Sequence, residues 1–553
     1  MRKTTRGVLL AIFLFGGIGP LLSQHVPTHI ANEGIYTFLD ELASDHHIDL
    51  WSLVKPYSRR TIARLLEEAE GSREELNGRQ LAELDFYLMD YAKEGAGDAS
   101  WSDRPAANWL WQSKYKNKRA DLFYYRDTLF QITVNPIVGS DVWVNQNGSF
   151  SHWWNGVEAW AYAGGFGLWA SLRDNHESTE LTARDFQNRR IGAANIKGTG
   201  GDGRDYEEFR GGITYGWRWG NVGLVMDQVA WGENNAGANI FSGRTPSYPM
   251  LELNLQPVSW FRFHYMHGFL TSEVVDSTKS FVINNAYGTR TRSVYHSKYI
   301  AANMFSFTPV PRLQLSVGNS IVYDYQSPSA AYLIPVAFYK AIDHNLNARN
   351  ENMNSQLFFS LSSRNLKHFH FHGTIFLDEL AMGRIAVADE HNFVSYKAGL
   401  SSTMVPNMRV VAEYTWTNAL TFMHYVPTTT FESNQYNLGH FLEDNAKELY
   451  LAAEYSLWRT LRVKAFMNRS LKGPDHTGLG TTPRMTITPF EPVVWESLRV
   501  GLFASAQLVN DLYVRMGYEW RNVTGEQPYL DRWTPEVYHG ETGTFRLGIN
   551  FGF

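Results

Sequence analysis

His368, His370 and His372 alternate with Phe369 and Phe371. In an extended strand every second side chain shares a face, so the imidazoles point one way and the phenyl rings the other. Histidine is a common metal ligand. Neighbours at i and i+2 on a strand, however, stand ~6.6 Å apart, too wide for a compact metal centre from these three alone. On a membrane-spanning strand the same alternation puts histidines in a polar lumen and phenylalanines against lipid. Asp378 and Glu379 close this segment and either accept sugar hydroxyls or form a structural pair inside a lumen.

A second constellation is Trp231-Gly232-Glu233-Asn234-Asn235, followed by Phe241-Ser242-Gly243-Arg244 and by Pro246, Tyr248 and Pro249. Indole and phenol rings stack on sugar faces, and Asn, Glu and Arg bind hydroxyls or acidic groups. The alternative is a folded loop packed inside or over its scaffold. Trp231, Glu233, Asn234, Arg244, Tyr248, Asp378 and Glu379 are therefore the candidate ligand-binding residues. The run Gly198–Gly203 lacks the Lys-Ser/Thr that completes a phosphate loop. The chain contains no cysteine, which removes thiolate nucleophiles, thiolate metal sites, disulfides and a lipoprotein anchor. No Ser/His/acid set stands out, so no catalytic residue, metal or cofactor is assigned and a non-enzymatic protein is expected.

The elements that must position these residues change character along the 553-residue chain. Arg2, Lys3 and Arg6 precede an apolar run from Gly7 to Leu22, and Ser23 offers a small residue for cleavage. This is a secretory leader over 1–23, too short for a spanning helix of ~20 residues. From Glu33 to Glu94 the period is helical. Ile35, Phe38, Leu39 and Leu42 share one face, Ser58 can cap a second helix carrying Ile62, Leu65 and Leu66, and Asn77-Gly78 separates a third containing Leu81, Leu84, Phe86, Leu88 and Met89. Gly95 to Asp103 reads as a linker.

From about Ala106 the period is two. Leu498, Val500, Leu502, Ala504 and Ala506 alternate with Arg499, Gly501, Ser505 and Gln507, and Leu512, Val514, Met516, Tyr518 and Trp520 repeat the pattern. Short turns are expected at Gln256-Pro257-Val258, Thr308 to Pro311, Val405-Pro406-Asn407, Trp458-Arg459-Thr460 and Val509-Asn510-Asp511. Long polar connections are expected at 175–208, 273–293, 325–354, 417–447 and 471–494. Short turns at one end and long loops at the other predict an outer-membrane β-barrel of roughly 16 to 18 strands over 101–553, with a periplasmic helical segment over 24–100. A mean hydropathy of −0.32 is compatible, because a spanning strand is apolar on one face only. Aromatic residues make up 14%, enough to supply girdles at both membrane interfaces. A net charge of −5 argues against nucleic acid as a partner. The chain ends Phe545, Leu547, Ile549, Phe551, Phe553 on one face, with Arg546, Gly548, Asn550 and Gly552 on the other. Gly548, Phe551 and Phe553 resemble the C-terminal signal read by barrel-assembly machinery.

Several blocks, in order, resemble the Wzi-type capsule assembly proteins of the outer membrane. They are Lys55-Pro56-Tyr57-Ser58-Arg59, then Asp227-Gln228 through Trp231-Gly232 and Phe241-Ser242 to Leu251, then Ile321-Val322-Tyr323, Tyr332-Leu333-Ile334-Pro335 and Phe338-Tyr339, then Phe376 to Leu380. The resemblance implies an 18-stranded barrel with a helical bundle on its periplasmic side and a lectin-like role in holding capsular polysaccharide. Loop lengths and the Arg244 segment depart from the enterobacterial pattern and look more like a Bacteroidetes branch. Expected partners are surface polysaccharide, outer-membrane lipid, the assembly machinery and a periplasmic export or motility component. A gliding-motility or adhesion component and a diffusion channel are the alternative functions.

Overall fold

The computed structural model describes residues 25–95, 106–109, 119, 121–127, 129–181, 192–194, 196–198, 203–285, 288–347, 352–387, 390–476 and 483–553. The expected leader, nearly all of the linker and the centre of the 198–203 glycine run lie outside the described residues.

Among those residues eighteen antiparallel strands close into one barrel. The first six are β1 (Phe130–Asn145), β2 (Gly148–Ala163), β3 (Phe166–Ser178), β4 (Gly203–Trp217), β5 (Gly220–Asp227) and β6 (Tyr248–Val258). The next six are β7 (Phe261–Leu270), β8 (Lys298–Val310), β9 (Leu313–Tyr323), β10 (Asn354–Ser363), β11 (Phe369–Glu379) and β12 (Phe393–Ser402). The last are β13 (Met408–Thr417), β14 (Ala446–Ser456), β15 (Leu461–Lys472), β16 (Trp495–Val509), β17 (Leu512–Gly525) and β18 (Gly540–Phe551). Consecutive strands pair, and β18 pairs with β1 through Gly548 opposite Asp141. Closure removes both sheet edges, so no row of backbone donors and acceptors is left facing hydrocarbon. No described helix is long and apolar enough to cross a membrane.

Period-two patterning decides which face is wet. Phe545, Leu547 and Ile549 are exposed on the outside of β18, as are Val500 and Leu502 on β16. Between them Arg499 and Arg521 turn inward and donate to Glu519, with Arg499 Nη2 2.6 Å from Oε2. The connections at one end are short throughout, and those at the other are long except for Gln146-Asn147. The turn expected at 256–258 falls instead at Ser259-Trp260, because a bulge between Leu255 and Val258 lets β6 continue.

Three helices fill the short-turn end: α1 (Glu33–Ser44), α2 (Arg59–Glu70) and α3 (Gly78–Asp90). Ser58 starts α2 by accepting the Thr61 amide at 3.0 Å. Asn77 and Gln80 form a reciprocal capping box at the start of α3. Helices of this length are marginal alone. Their stability comes from burying Phe38, Leu39, Leu42, Ile62, Leu66 and Leu84 together. Truncating Leu39 to Ala would cost about 2–5 kcal/mol.

Candidate functional site

The Trp231 segment leaves the end of β5, on the long-loop side, and folds into the barrel. Ala230-Trp231 pairs with Phe241-Ser242 and also with Val54-Lys55, which follow α1. The plug loop and the helical segment thus share a small sheet inside the lumen. Trp231 is 3% exposed, packs edge-on against Phe241 and Phe358, and belongs to a core that includes Leu53, Met250, Phe376, Phe422, Phe431 and Leu438. Phe422 to Leu438 come from the 418–445 connection, which also folds inward. The lumen at this level is an apolar core rather than a water-filled channel.

Glu233 is buried and engaged. Ser52 Oγ donates to its Oε1, and His370 Nε2 lies 3.9 Å from the same oxygen. Arg364, in the β10–β11 turn, donates to Ser52 Oγ at 3.0 Å and to Asp40 on α1. Arg409, on β13, donates to Asp40 Oδ2 at 2.9 Å. The knot joins α1, the plug loop and two separate parts of the wall. Burial alone would raise the Asp40 carboxyl, but Arg364 and Arg409 outweigh it and hold that group well below the usual carboxylate range. Burial likewise opposes ionisation of Glu233, but the neighbouring His370 and Arg364 outweigh it and its pKa is lowered.

The other candidates are dispersed. Asn234 is half-buried and donates to the Gly232 carbonyl at 3.0 Å. Arg244 is buried with its guanidinium 5.5 Å from the Tyr436 ring centroid. Tyr248 is buried in the Trp231 core. Asp378 and Glu379 lie at the far end of β11, eight or more residues from His370, roughly 26 Å by strand rise. A register shift between Leu377 and Glu379 separates the pair, and Glu379 accepts from Arg384 at 2.6 Å. Of the three histidines, His370 and His372 face inward. His368 does not share their face: it sits in the turn at φ 70° and its Nδ1 lies 2.9 Å from Asp45. Among the described residues no group of side chains is arranged to hold a metal ion.

What the structure does assemble around Trp231 is a cavity of about 1070 Å³ between the helical segment and the inner wall of β5–β9, with Trp169 of β3 at its side. This is slightly above the ~300–1,000 Å³ usual for ligand sites. Trp51, Trp169, Trp219, Trp231 and Trp260 line it, with Arg60, Arg64, Arg218, Arg262 and Arg312. Period two on β6 and β7 turns Glu252, Asn254, Arg262 and His264 inward together. The Arg262 guanidinium lies 4.6 Å from the Trp51 ring centroid. His264 Nδ1 is 2.7 Å from Asn254 Oδ1, and Asn254 donates to Asn221 at 3.0 Å. Yet Glu252 Oε1, Arg262 Nε, Arg312 Nε, Gln314 Oε1 and Trp169 Nε1 are buried without a hydrogen-bond partner among the described residues. Buried polar atoms are usually satisfied, so such a concentration in one cavity marks a place for a hydrogen-bonding occupant. Indole faces beside unsatisfied donors and acceptors suit a hydroxyl-rich ring, and the arginines suit an acidic one. Sequence reading reached only Trp231 of this set. Trp51, Arg262 and Arg312 come from a helix-bundle connection, a strand and a turn far apart in the chain, and no local spacing links them.

No protein-family model matches the chain, and no curated protein matches it. Solved structures do. The fold is that of an outer-membrane β-barrel. The outer-membrane protein Wzi of Escherichia coli, described as a carbohydrate-binding β-barrel involved in group 1 capsule assembly, superimposes with a TM-score of 0.57 at 11% identity, covering 96% of this chain and 100% of that one. OpdK of Pseudomonas aeruginosa, solved with vanillate, gives a TM-score of 0.41 at 8% identity over 76% of this chain and 98% of its own. OccAB2 of Acinetobacter baumannii gives 0.41 at 10% identity over 76% and 97%. The likeness to Wzi establishes architecture.

Proposed function

We propose that this protein is a non-enzymatic outer-membrane protein that binds a surface polysaccharide and helps to assemble or retain it. The cavity around Trp51 and Arg262 carries the reading: it sets indoles, guanidiniums and several buried unsatisfied polar atoms around one space. The short-turn end is the periplasmic end in this reading, so the glycan is met there, beside the helical segment, where an export partner would also dock. The likeness in fold to a carbohydrate-binding barrel supports the same class of ligand. The apolar core across the lumen supports a binding role over free diffusion. Deleting the gene and measuring cell-bound against shed polysaccharide tests the physiology, and an unchanged ratio refutes it. Glycan-array binding by the refolded protein tests the chemistry, with the double variant Trp51→Ala, Arg262→Met as the control that should lose binding while keeping the barrel.

A further inference from the structure

A rung of the barrel wall departs from the rule that outward-facing side chains are apolar. Across seven strands, β5 to β11, the paired outward residues are Val222, Leu253, Tyr265, Asn303, Asn319, Leu357 and Leu377. The flanks are apolar, but the centre carries a tyrosine and two asparagines. The rung lies at membrane depth. On β8, Asn303 is four residues from Phe307, which stacks with Trp260 and Phe261 in the aromatic girdle of the short-turn end. A spanning strand takes ~9–11 residues, so this position is inside the apolar belt. Asparagine facing hydrocarbon without partners is costly.

The three residues are nevertheless buried, Asn303 completely. The cover is the connection after β9, which folds back over the outside of the wall. Asn303 Nδ2 donates to the carbonyls of Pro335 and Ala337, both at 2.8 Å. The Tyr265 hydroxyl donates to the Tyr332 carbonyl at 3.2 Å, and the Tyr339 amide donates to Asn319 Oδ1 at 2.9 Å. Tyr332 and Tyr339 are fully buried against the wall. Tyr339 begins a short helix, α4 (Tyr339–Leu346). Irregular backbone survives at membrane depth only where its polar groups are taken up by protein. The out-of-place asparagines do that for this segment. Its opposite side exposes Leu333, Ile334, Val336, Phe338 and Leu346, Val336 at 65%.

We propose that residues 332–346 are a membrane-immersed flap on the outside of the barrel, whose apolar side packs against acyl chains of the outer leaflet. The flap continues the apolar belt over the rung where the wall itself carries Tyr265, Asn303 and Asn319. Lys340, exposed at the start of α4, has a stem long enough to carry its ammonium toward the headgroups.

The test uses the absence of native cysteine. Val336→Cys gives a unique, exposed thiol for a nitroxide label in the full chain reconstituted in phospholipid bilayers. Collision with oxygen, which concentrates in the bilayer, is compared with collision with a water-soluble nickel chelate. Leu361→Cys on the outward face of β10 is the lipid control, and Ser327→Cys in the exposed part of the same connection is the water control. The expected result is an oxygen-to-nickel ratio at Val336 that matches Leu361 and exceeds Ser327 several-fold. A ratio matching Ser327 overturns the proposal. So does a label shielded from both reagents, which would mean that protein rather than lipid covers the face. Asn303→Leu in the Val336→Cys background should lower the ratio toward the Ser327 value, because the flap loses the donor that holds it to the wall.

Discussion

The charge knot at Asp40 sets how firmly the helical segment is held. Asp40→Ala removes the acceptor shared by Arg364 and Arg409 and leaves two guanidiniums beside a buried surface. Breaking a buried pair from one side costs about 3–5 kcal/mol, mostly as the penalty of the unpaired charge. At 1.4 kcal/mol per decade, the population with the segment undocked should rise by about 10²–10⁴-fold. The barrel itself should persist, because its strands pair independently of α1. Amide hydrogen exchange across residues 33–90, compared with exchange in β14–β17, separates the two. The expected result is acceleration confined to the helical segment. The sign with pH also follows. The native Asp40 pKa is depressed, so its stabilisation is fully present above the ordinary carboxylate value of ~3.9 and is lost only as pH falls through the lower native value. Docking should therefore be constant from pH 8 to pH 5 and weaken in stronger acid. Exchange in Asp40→Ala within about threefold of wild type, well under 1 kcal/mol by the same arithmetic, would refute the claim that this knot holds the segment.

Replacing the plug loop 229–246 with a short glycine-serine linker should turn a barrel that conducts little into one with steady conductance in planar bilayers; equal conductance before and after would mean the apolar core does not seal the lumen. Trp51→Ala should weaken glycan binding by about 1–3 kcal/mol, the loss of one well-stacked aromatic contact, without changing heat-modifiable migration of the barrel. Gly548 faces Asp141 across the β18–β1 seam, and a Cβ there would meet Asp141 Oδ1 at 1.9 Å. Gly548→Val should therefore destabilise the closed barrel by about 1–3 kcal/mol and slow its assembly, read as unfolded protein in a refolding time course.

Much of the architecture was legible because a closed barrel leaves a simple trace. Alternation along residues 498–506 and 512–520 marked two spanning strands, and Ser58 announced its helix. Three features were not. The segment after Asp227 has the composition of any polar loop, and only its pairing with Val54-Lys55 shows that it runs inward. His368 extends a perfect alternation in sequence, but the left-handed backbone at that residue removes it from the strand face. Asn303 and Asn319 have the polarity of lumen-facing residues; register turns them outward, where carbonyls of a distant segment satisfy them. For the plug loop and the asparagines the deciding partner is remote in sequence. The cavity is the extreme example, since its lining comes from α2, the plug loop, Trp169 of β3 and the strands β5 to β9.

The helical segment has a history as well as a place. It leaves the ribosome before its partners in the wall exist, and Arg364, Arg409 and Arg462 all arrive hundreds of residues later. Until then Asp40, Glu41, Glu83 and Asp90, which end up buried, are free to be hydrated. The same carboxylates that later lock the segment into the barrel would keep its apolar stripe dispersed during transit through the aqueous space between membranes. Phe553 stacks near His29 and Tyr513 once the last strand is placed. Seating of the residues just ahead of α1 and placement of the end of β18 are thus coupled.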